Sequence, residues 1–339
     1  MVTTDLYSAL QPYLAQYDED QIVVVAAQRV ADKWRSKVPI FPISTIENGE
    51  AGKSLKTVER IWDFMLDHRI TRRGLLICVG GGVVTDMGGF AAATYKRGIN
   101  YINIPTTLLA MVDASTGGKT GINYHGLKNC IGAFYSPIET IIYTPWLESL
   151  PSQQLLSGFA EMLKHAILSD EIEYNLLLSY DLDVFNLKGL APRIERSIEI
   201  KKSIVEIDEN EHGLRKILNF GHTFGHALEE MAIDNSEPML HGYAVLYGMI
   251  AELYLSVTLL GMDREPLQQL TQLMLHYYCK PECKCRHRDR LVDLMRQDKK
   301  NDHSGEINCT LLRAIGEPCI NQVITPEQAE EAFEYLFSL

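Results

Sequence analysis

Apolar residues in the first 150 positions come in short unbroken runs; beyond that point they recur with helical spacing. Residues 21–25 (QIVVV) and 75–79 (LLICV) are too short for buried helices, and each predicts a buried strand. Residues 101–104 (YINI) predict another, stopped by Pro105. Between the first two, residues 53–68 place Leu55, Val58, Ile61, Trp62 and Met65 on one helical face. The second run ends in Gly80–Gly81–Gly82, and a helix is expected to start near Asp86. Strands alternating with helices predict a parallel α/β sheet. From Pro151 onward, residues 151–168, 191–206, 214–231, 242–260, 265–278, 287–297 and 326–337 predict helices, interrupted by one strand at 307–312. The change of period predicts two domains, an α/β domain over 1–150 and a mostly helical one over 151–339, each long enough to bury its own core. There is no repeat, low-complexity tract or long linker.

Hydrophobic content of 46% and charged content of 22% are ordinary for a globular protein. The net charge of −12 argues against a nucleic-acid partner, which would need a basic face. It leaves small anions open, because a local lysine cluster can hold phosphate inside an acidic chain. The start, Met1 to Asp5, has no basic segment followed by an apolar run. No apolar stretch is expected to reach the roughly 18 residues of a membrane span. Seven cysteines, an odd number in a long chain, fit reduced thiols in a cytoplasm. Cys279, Cys283, Cys285 and His287 cluster, but C-x3-C-x-C-x-H matches no zinc module, and the segment reads as a surface loop between helices.

A strand running into Gly80–Gly81–Gly82–Val83–Val84–Thr85–Asp86 would bring a phosphate against bare backbone at a helix N-terminus. Thr85 stands where a third glycine completes the dinucleotide pattern, and a plain tight turn also uses such a triplet. Gly117–Gly118–Lys119–Thr120 resembles the end of a P-loop, but Asp113 occupies the required first glycine and no strand leads directly into it. Lys119 stays a candidate anion-binding lysine, with a solvated surface lysine as the plain alternative.

The segment Leu218–Asn219–Phe220–Gly221–His222–Thr223–Phe224–Gly225–His226 carries imidazoles at i and i+4, on one face of the predicted helix. His241 follows in Leu240–His241–Gly242, and Glu161 and Lys164 lie at i, i+3 upstream. Two imidazoles, a carboxylate and an open fourth position describe a catalytic zinc site. Spacing alone allows both His222 and His226 to ligate. Any one of these histidines is ordinarily a satisfied core or surface residue; the ensemble carries the reading.

Taken in order, the motifs resemble the 3-dehydroquinate synthase family of sugar-phosphate cyclases. They are GGGVVTDMGGFAAATYKRG (80–98), IPTTLLAMVDASTGGKTGIN (104–123), GLKNCIGAFYSP (126–137), LPSQQLLSGFAEMLKHA (150–166), DENEHGLRKILNFGHTFGHALE (208–229), LHGYAVLYGM (240–249) and DKK (298–300). The resemblance implies a Rossmann-like NAD-binding α/β domain, a helical metal- and substrate-binding domain, and an active site in the cleft between them. It implies tightly bound NAD, one divalent metal (zinc first, cobalt second) and a homodimer, while charge and hydropathy speak against a nucleic-acid or membrane partner. The implied reaction turns 3-deoxy-D-arabino-heptulosonate 7-phosphate into 3-dehydroquinate and phosphate, a step of aromatic amino-acid biosynthesis. It runs through transient oxidation by NAD, phosphate elimination, re-reduction and intramolecular aldol closure.

Residue by residue, the resemblance makes Glu161, His222 and His241 the metal ligands and His226 a substrate contact. Lys164, Lys201, Arg215, Asn219 and Lys299 match groups that hold the substrate's carboxylate, hydroxyls and phosphate, with Lys119 and Asn129 on the substrate side as well. Arg97 matches an arginine donated by the partner subunit. The cofactor contacts match Glu50, Lys53, Gly82, Val83, Val84, Thr85, Asp86, Thr106, Thr107, Asp113, Lys119 and Lys128. Trp146, Leu147, Glu148 and Ser149 complete that set. Three departures stand out. Val25–Ala26–Ala27 lacks the family's first-strand aspartate, Thr85 replaces a glycine, and Tyr243 follows His241–Gly242 where glutamate is common.

Three other readings compete. A metal-dependent, NAD-linked dehydrogenase related to glycerol dehydrogenase shares the glycine turn, but it would release NADH and has no need of the lysine and arginine set. Another cyclase, such as a valiolone-type synthase, would change the phosphate and carboxylate pockets, whereas this chain keeps Lys201, Asn219, His226 and Lys299. A catalytically dead NAD-binding scaffold would not retain all three metal ligands.

Overall fold

The structure, a computed structural model, describes residues 1–47, 49–125, 127–281, 288–296 and 306–339. They divide into two compact units, Met1–Pro151 with Leu187–Ile198, and Ser152–Asn186 with Glu199–Leu339.

The first unit runs β1 (Val2–Thr3), α1 (Leu6–Leu14), β2 (Ile22–Ala27), α2 (Gln28–Lys33), β3 (Ile43–Ile46), α3 (Leu55–Asp67), β4 (Leu75–Gly80), α4 (Gly82–Thr94) and β5 (Asn100–Pro105). It continues through β6 (Lys119–Tyr124), β7 (Leu127–Phe134), β8 (Glu139–Thr140) and β9 (Ile142–Tyr143). Its main sheet is parallel, in the order β3-β2-β4-β5-β8. Every residue of β2 and β4 is buried, which is why both read as continuous apolar runs rather than alternating ones. Ser54 caps α3 by accepting from Thr57 N, and the helix lays Val58, Ile61 and Met65 on the sheet. α4 begins at Gly82, four residues ahead of the expected start. β6 and β7 form an antiparallel hairpin that the apolar pattern had not suggested.

The second unit holds α5 (Ser152–Ser169), α6 (Glu171–Leu178) and the later part of α7 (Leu187–Ile207). It also holds α8 (His222–Asp234), α9 (His241–Leu260), α10 (Glu265–Tyr277), α11 (Arg288–Arg296), β10 (Ile307–Leu312), β11 (Pro318–Ile324) and α12 (Pro326–Ser338). The single helix expected over 214–231 is broken. Leu214–Asn219 is a short 3-10 turn, Gly221 takes a left-handed conformation (φ +80°), and α8 starts at His222. The lone strand is one arm of a hairpin, with β11 as its antiparallel partner.

α9 corrects the expectation about apolar stretches. Its 20 residues are long and apolar enough to cross a membrane by length and composition, but 67% of that window is buried inside the protein. The helix is apolar because α5, α8, α10, α12 and β10 pack around it. Cys78, Cys130, Cys279, Cys309 and Cys319 are free thiols. Cys283, Cys285 and His287 lie outside the described residues.

Candidate active site

Three helices of the second unit converge on one point. Glu161 sits in the middle of α5, His222 is the first residue of α8 and His241 the first of α9. One ligand atom from each lies within 4.8 Å of the others. Glu161 Oε1 is 3.8 Å from His222 Nε2 and 3.5 Å from His241 Nε2. A tetrahedral ion with bonds of about 2.0–2.2 Å sets neighbouring ligand atoms about 3.3–3.6 Å apart. The outward nitrogens face acceptors: His222 Nδ1 is 3.2 Å from the Phe220 carbonyl and His241 Nδ1 is 3.3 Å from Glu229 Oε2. Once His241 gives up its extra proton, a proton kept on each Nδ1 would leave each Nε2 lone pair facing the ion position beside Glu161. Donor set, spacing and tautomers therefore fit a divalent ion. The His226 ring stands beside the cluster, 5.3 Å from that of His222 and 6.1 Å from that of His241.

Charge is concentrated here. Glu161 is fully buried and makes an ion pair with Lys164, one turn along the same helix face. Burial pulls His241 down, but hydrogen bonds and attraction from Glu161 and Glu229 outweigh it and push the imidazole up to about 10. Glu229 is a residue that the sequence reading missed. Its signal was present, since it lies seven residues after His222 and so on the same face of α8.

Glycine allows the approach. A Cβ on Gly242 would lie 1.8 Å from the Ser157 carbonyl oxygen, so α9 meets α5 backbone to backbone, directly beside His241. Gly221 does the same for α8: a Cβ there would lie 2.7 Å from the Val245 carbonyl oxygen of α9.

The second unit also buries cations. Lys164, Lys201 and Arg215 are 1%, 7% and 2% exposed. Asp208 organises the turn that carries Arg215, accepting from His212 N, Gly213 N and Arg215 N at 3.0, 2.7 and 3.0 Å. Those backbone bonds hold its carboxyl below the usual range. Arg215 donates to the Glu209 carbonyl, and Asn219 Nδ2 donates to Glu211 Oε1 at 3.0 Å. Lys299 lies outside the described residues.

In the first unit Gly82 to Asp86, Thr106 and Thr107 lie at the carboxyl ends of β4 and β5, where open parallel sheets bind ligands. Gly82, Val83, Val84, Thr85 and Asp86 form the start of α4, whose cap residue Gly81 contributes no side-chain bond. Thr106 N donates to the Gly80 carbonyl, and Thr107 packs against Gly81, where a Cβ would be 3.1 Å from its methyl group. A helix start with bare backbone and no side-chain cap fits a pyrophosphate. Lys53, 4% exposed, donates to Asp86 Oδ2 and to Asn129 Oδ1, each at 2.5 Å. Burial raises the Asp86 carboxyl, and the Lys53 ion pair opposes that. Glu50 accepts from Asn123 Nδ2 at 2.8 Å. Asp113 lies in the turn Ala110–Ala114 after β5, and Lys119 and Lys128 lie on the hairpin, the first exposed and the second half-buried. The Trp146 and Leu147 side chains point inward, with the Trp146 ring against Trp34 and Tyr143. Ser149 accepts from Trp34 Nε1, and Glu148 is exposed. β2 ends on apolar Ala26–Ala27, so no first-strand carboxylate is present for a ribose.

Arg97 projects from a loop of left-handed backbone. Lys96, Arg97 and Gly98 have φ of 48°, 68° and 114°. Tyr95 Oη and Lys96 Nζ both donate to the Ile70 carbonyl, fastening the loop on one side.

Two family models cover most of the chain, 3-dehydroquinate synthase N-terminal over residues 43–157 and 3-dehydroquinate synthase C-terminal over 158–301. A 3-dehydroquinate synthase of Parabacteroides distasonis is 41% identical across 99% of this chain and 96% of its own length. One from Listeria monocytogenes is 40% identical across 89% of this chain and 82% of its own. Among solved structures, the 2-epi-5-epi-valiolone synthase ValA of Streptomyces hygroscopicus, with NAD+ and Zn2+ bound, superposes with a TM-score of 0.83 at 27% identity, covering 99% of this chain and 95% of that one. Sheet topology, the helical second unit, and family models matching both halves agree, and the chain belongs to the 3-dehydroquinate synthase family.

Proposed function

We propose that this protein is a 3-dehydroquinate synthase, converting 3-deoxy-D-arabino-heptulosonate 7-phosphate to 3-dehydroquinate and phosphate with no net redox change. The observation that carries this reading is the Glu161–His222–His241 cluster with Lys164 and His226 beside it. Residues 1–150 hold NAD, and 151–339 hold the metal and most of the substrate contacts.

Bound NAD would supply a reversible hydride acceptor, and Glu161, His222 and His241 would hold a divalent ion, zinc or cobalt, that would supply Lewis acidity toward the hydroxyl and the carbonyl. The chain's own residues do the remaining work. Lys164, Lys201 and Arg215 are cations fixed before substrate arrives, and they hold its phosphate and carboxylate in one orientation. Lys119, Asn129 and Lys299 add contacts, while Asn219 and His226 bind hydroxyl groups. Glu211 fixes the amide of Asn219, so its oxygen is presented as an acceptor. No side chain is required as the base for elimination, because the departing phosphate is itself basic. At the nucleotide, Lys53 ties Asp86 to Asn129 and so joins the cofactor turn to a substrate contact.

Two further parts of the proposal concern context. The chain works as a homodimer in which Arg97 serves the partner's site. Leu127, Ile131 and Phe134 on β7 are exposed apolar side chains that a partner subunit could cover. The free thiols support a reducing cytoplasm.

The test is incubation of the zinc-loaded protein with the heptulosonate phosphate and catalytic NAD. Phosphate and dehydroquinate should form together in equal amounts over many turnovers per NAD. Accumulation of NADH in proportion to product would refute the proposal and favour the dehydrogenase reading.

A further inference from the structure

Both histidines of the cluster open helices that lack caps of their own. The cap residues of α8 and α9, Gly221 and Leu240, make no side-chain bond to the helix. A helix start without such a bond has unsatisfied amides and frays. Here the neighbouring helices supply the acceptors. Glu252, about three turns along α9, accepts from Gly221 N at 2.7 Å, directly before His222. Ser157 of α5, four residues before Glu161, accepts through Oγ from Gly242 N at 3.1 Å, directly after His241. A third contact runs from α8 to α9, where Glu229 Oε2 faces His241 Nδ1.

We propose that Ser157, Glu229 and Glu252 are positioning residues that brace the metal ligands from the neighbouring helices. α9 caps α8, α5 caps α9, and α8 orients the ligand on α9. The inference rests on the metal-site reading above. Glu252 is the costly member, since it is fully buried, where a carboxylate is expensive and an apolar residue of similar size would usually serve stability as well or better. What a leucine could not do is hold the Gly221 amide, and with it the angle at which His222 leaves the turn. The positive end of α8 faces the Glu252 carboxyl group, which favours an acceptor oxygen at that point. Glu229 adds what carboxylates commonly add behind a ligating histidine, a fixed ring and a more basic Nε2.

The experiment strips zinc from the loaded full-length protein with increasing chelator. It compares the parent with Ser157→Ala, Glu229→Ala, Glu252→Leu and Glu252→Gln. NAD binding and the melting temperature of the zinc-free form report whether the fold survives. Zinc affinity should drop about 10–100-fold in the Ala and Leu variants. Glu252→Gln keeps an oxygen for Gly221 N, and should stay within about threefold of the parent. Parental zinc affinity in Glu229→Ala and Ser157→Ala overturns the brace, even if Glu252→Leu fails to fold. An equal loss in Glu252→Gln and Glu252→Leu overturns the capping role of Glu252. Glu161→Gln separates the two levels of argument. If it retains zinc like the parent, the metal assignment has failed. If it loses zinc while the brace variants do not, the brace alone has failed.

Discussion

Replacing Gly242 by alanine adds one methyl group and should dismantle the metal site. The added Cβ would lie 1.8 Å from the Ser157 carbonyl oxygen and 2.5 Å from its carbon. Ordinary contact begins at 3.4 Å, so α9 has to withdraw by about 1.6 Å. The obstructing atoms are backbone of α5, and no side chain can rotate out of the way. His241 adjoins Gly242, and the same retreat lengthens its 3.5 Å separation from Glu161 to about 5 Å. Two ligands on opposite sides of a zinc ion, with bonds of about 2.1 Å, reach at most about 4.2 Å. One ion therefore cannot hold both. Overpacking of this kind costs about 1–3 kcal/mol, which leaves a protein of ordinary stability folded. Zinc content after dialysis, NAD binding and thermal melting are the measurements. Gly242→Ala should retain NAD binding, lose stoichiometric zinc and no longer gain melting temperature when zinc is added. A variant that keeps one zinc at parental affinity would show that α9 can tilt without moving His241, and the reasoning would be wrong.

Other outcomes follow from the same geometry. Lys201→Met removes a buried cation and should lower kcat/KM about 10–100-fold while leaving NAD affinity unchanged; the matching Lys299→Met should do the same, and full activity at limiting substrate in either removes that lysine from the cradle. Mixing inactive Arg97→Ala with inactive His222→Ala chains should restore about a quarter of parental activity, because half the dimers are mixed and each has one intact site; no recovery in proven mixed dimers places Arg97 outside the partner's site. His241 faces Glu161 from α5 and Glu229 from α8, with the His222 and His226 rings at 5.4 and 6.1 Å. Its raised value means that the zinc-free protein holds a proton there below about 10, a contribution fully present below 6.5 and lost as pH rises through about 10. Zinc binding at pH 8 should thus release about one proton, measured by calorimetry in buffers of different ionisation enthalpy, and zero release would contradict the assignment.

The central strands and the long helices were legible because burial on both faces, or on one helical stripe, leaves its mark on the chain locally. The break before His222 was not. Residues 214–231 keep helical spacing throughout, and what interrupts them is Gly221 pressed against Met249 and the Val245 carbonyl of α9. That contact is made by residues more than twenty positions away. β11 and the β6–β7 hairpin escaped notice because most of their residues are exposed or half-buried, so neither shows clean alternation. At the metal site, spacing left His222 and His226 equivalent. The fold starts α8 at His222 and brings its Nε2 within 3.8 Å of Glu161 Oε1, in a group of three possible ligands with His241. Glu252 could not have been found by pattern at all, since it lies in the middle of the most apolar helix and its partner is a backbone amide.

The loop at Lys96, Arg97 and Gly98 bears on how activity and stability trade against each other. A left-handed backbone costs a non-glycine residue about 1–2 kcal/mol, and two successive positions accept that cost here. Glycine at 97 would relieve it there, whereas glycine at 96 would also remove the Lys96 bond to the Ile70 carbonyl, so stability taken alone selects most clearly against Arg97. A lineage that no longer needed the arginine would drift toward glycine or asparagine and melt at a higher temperature. On the role proposed for Arg97, screening variants for thermal tolerance alone would therefore recover substitutions at 97 early, and those substitutions would be the wrong ones to keep.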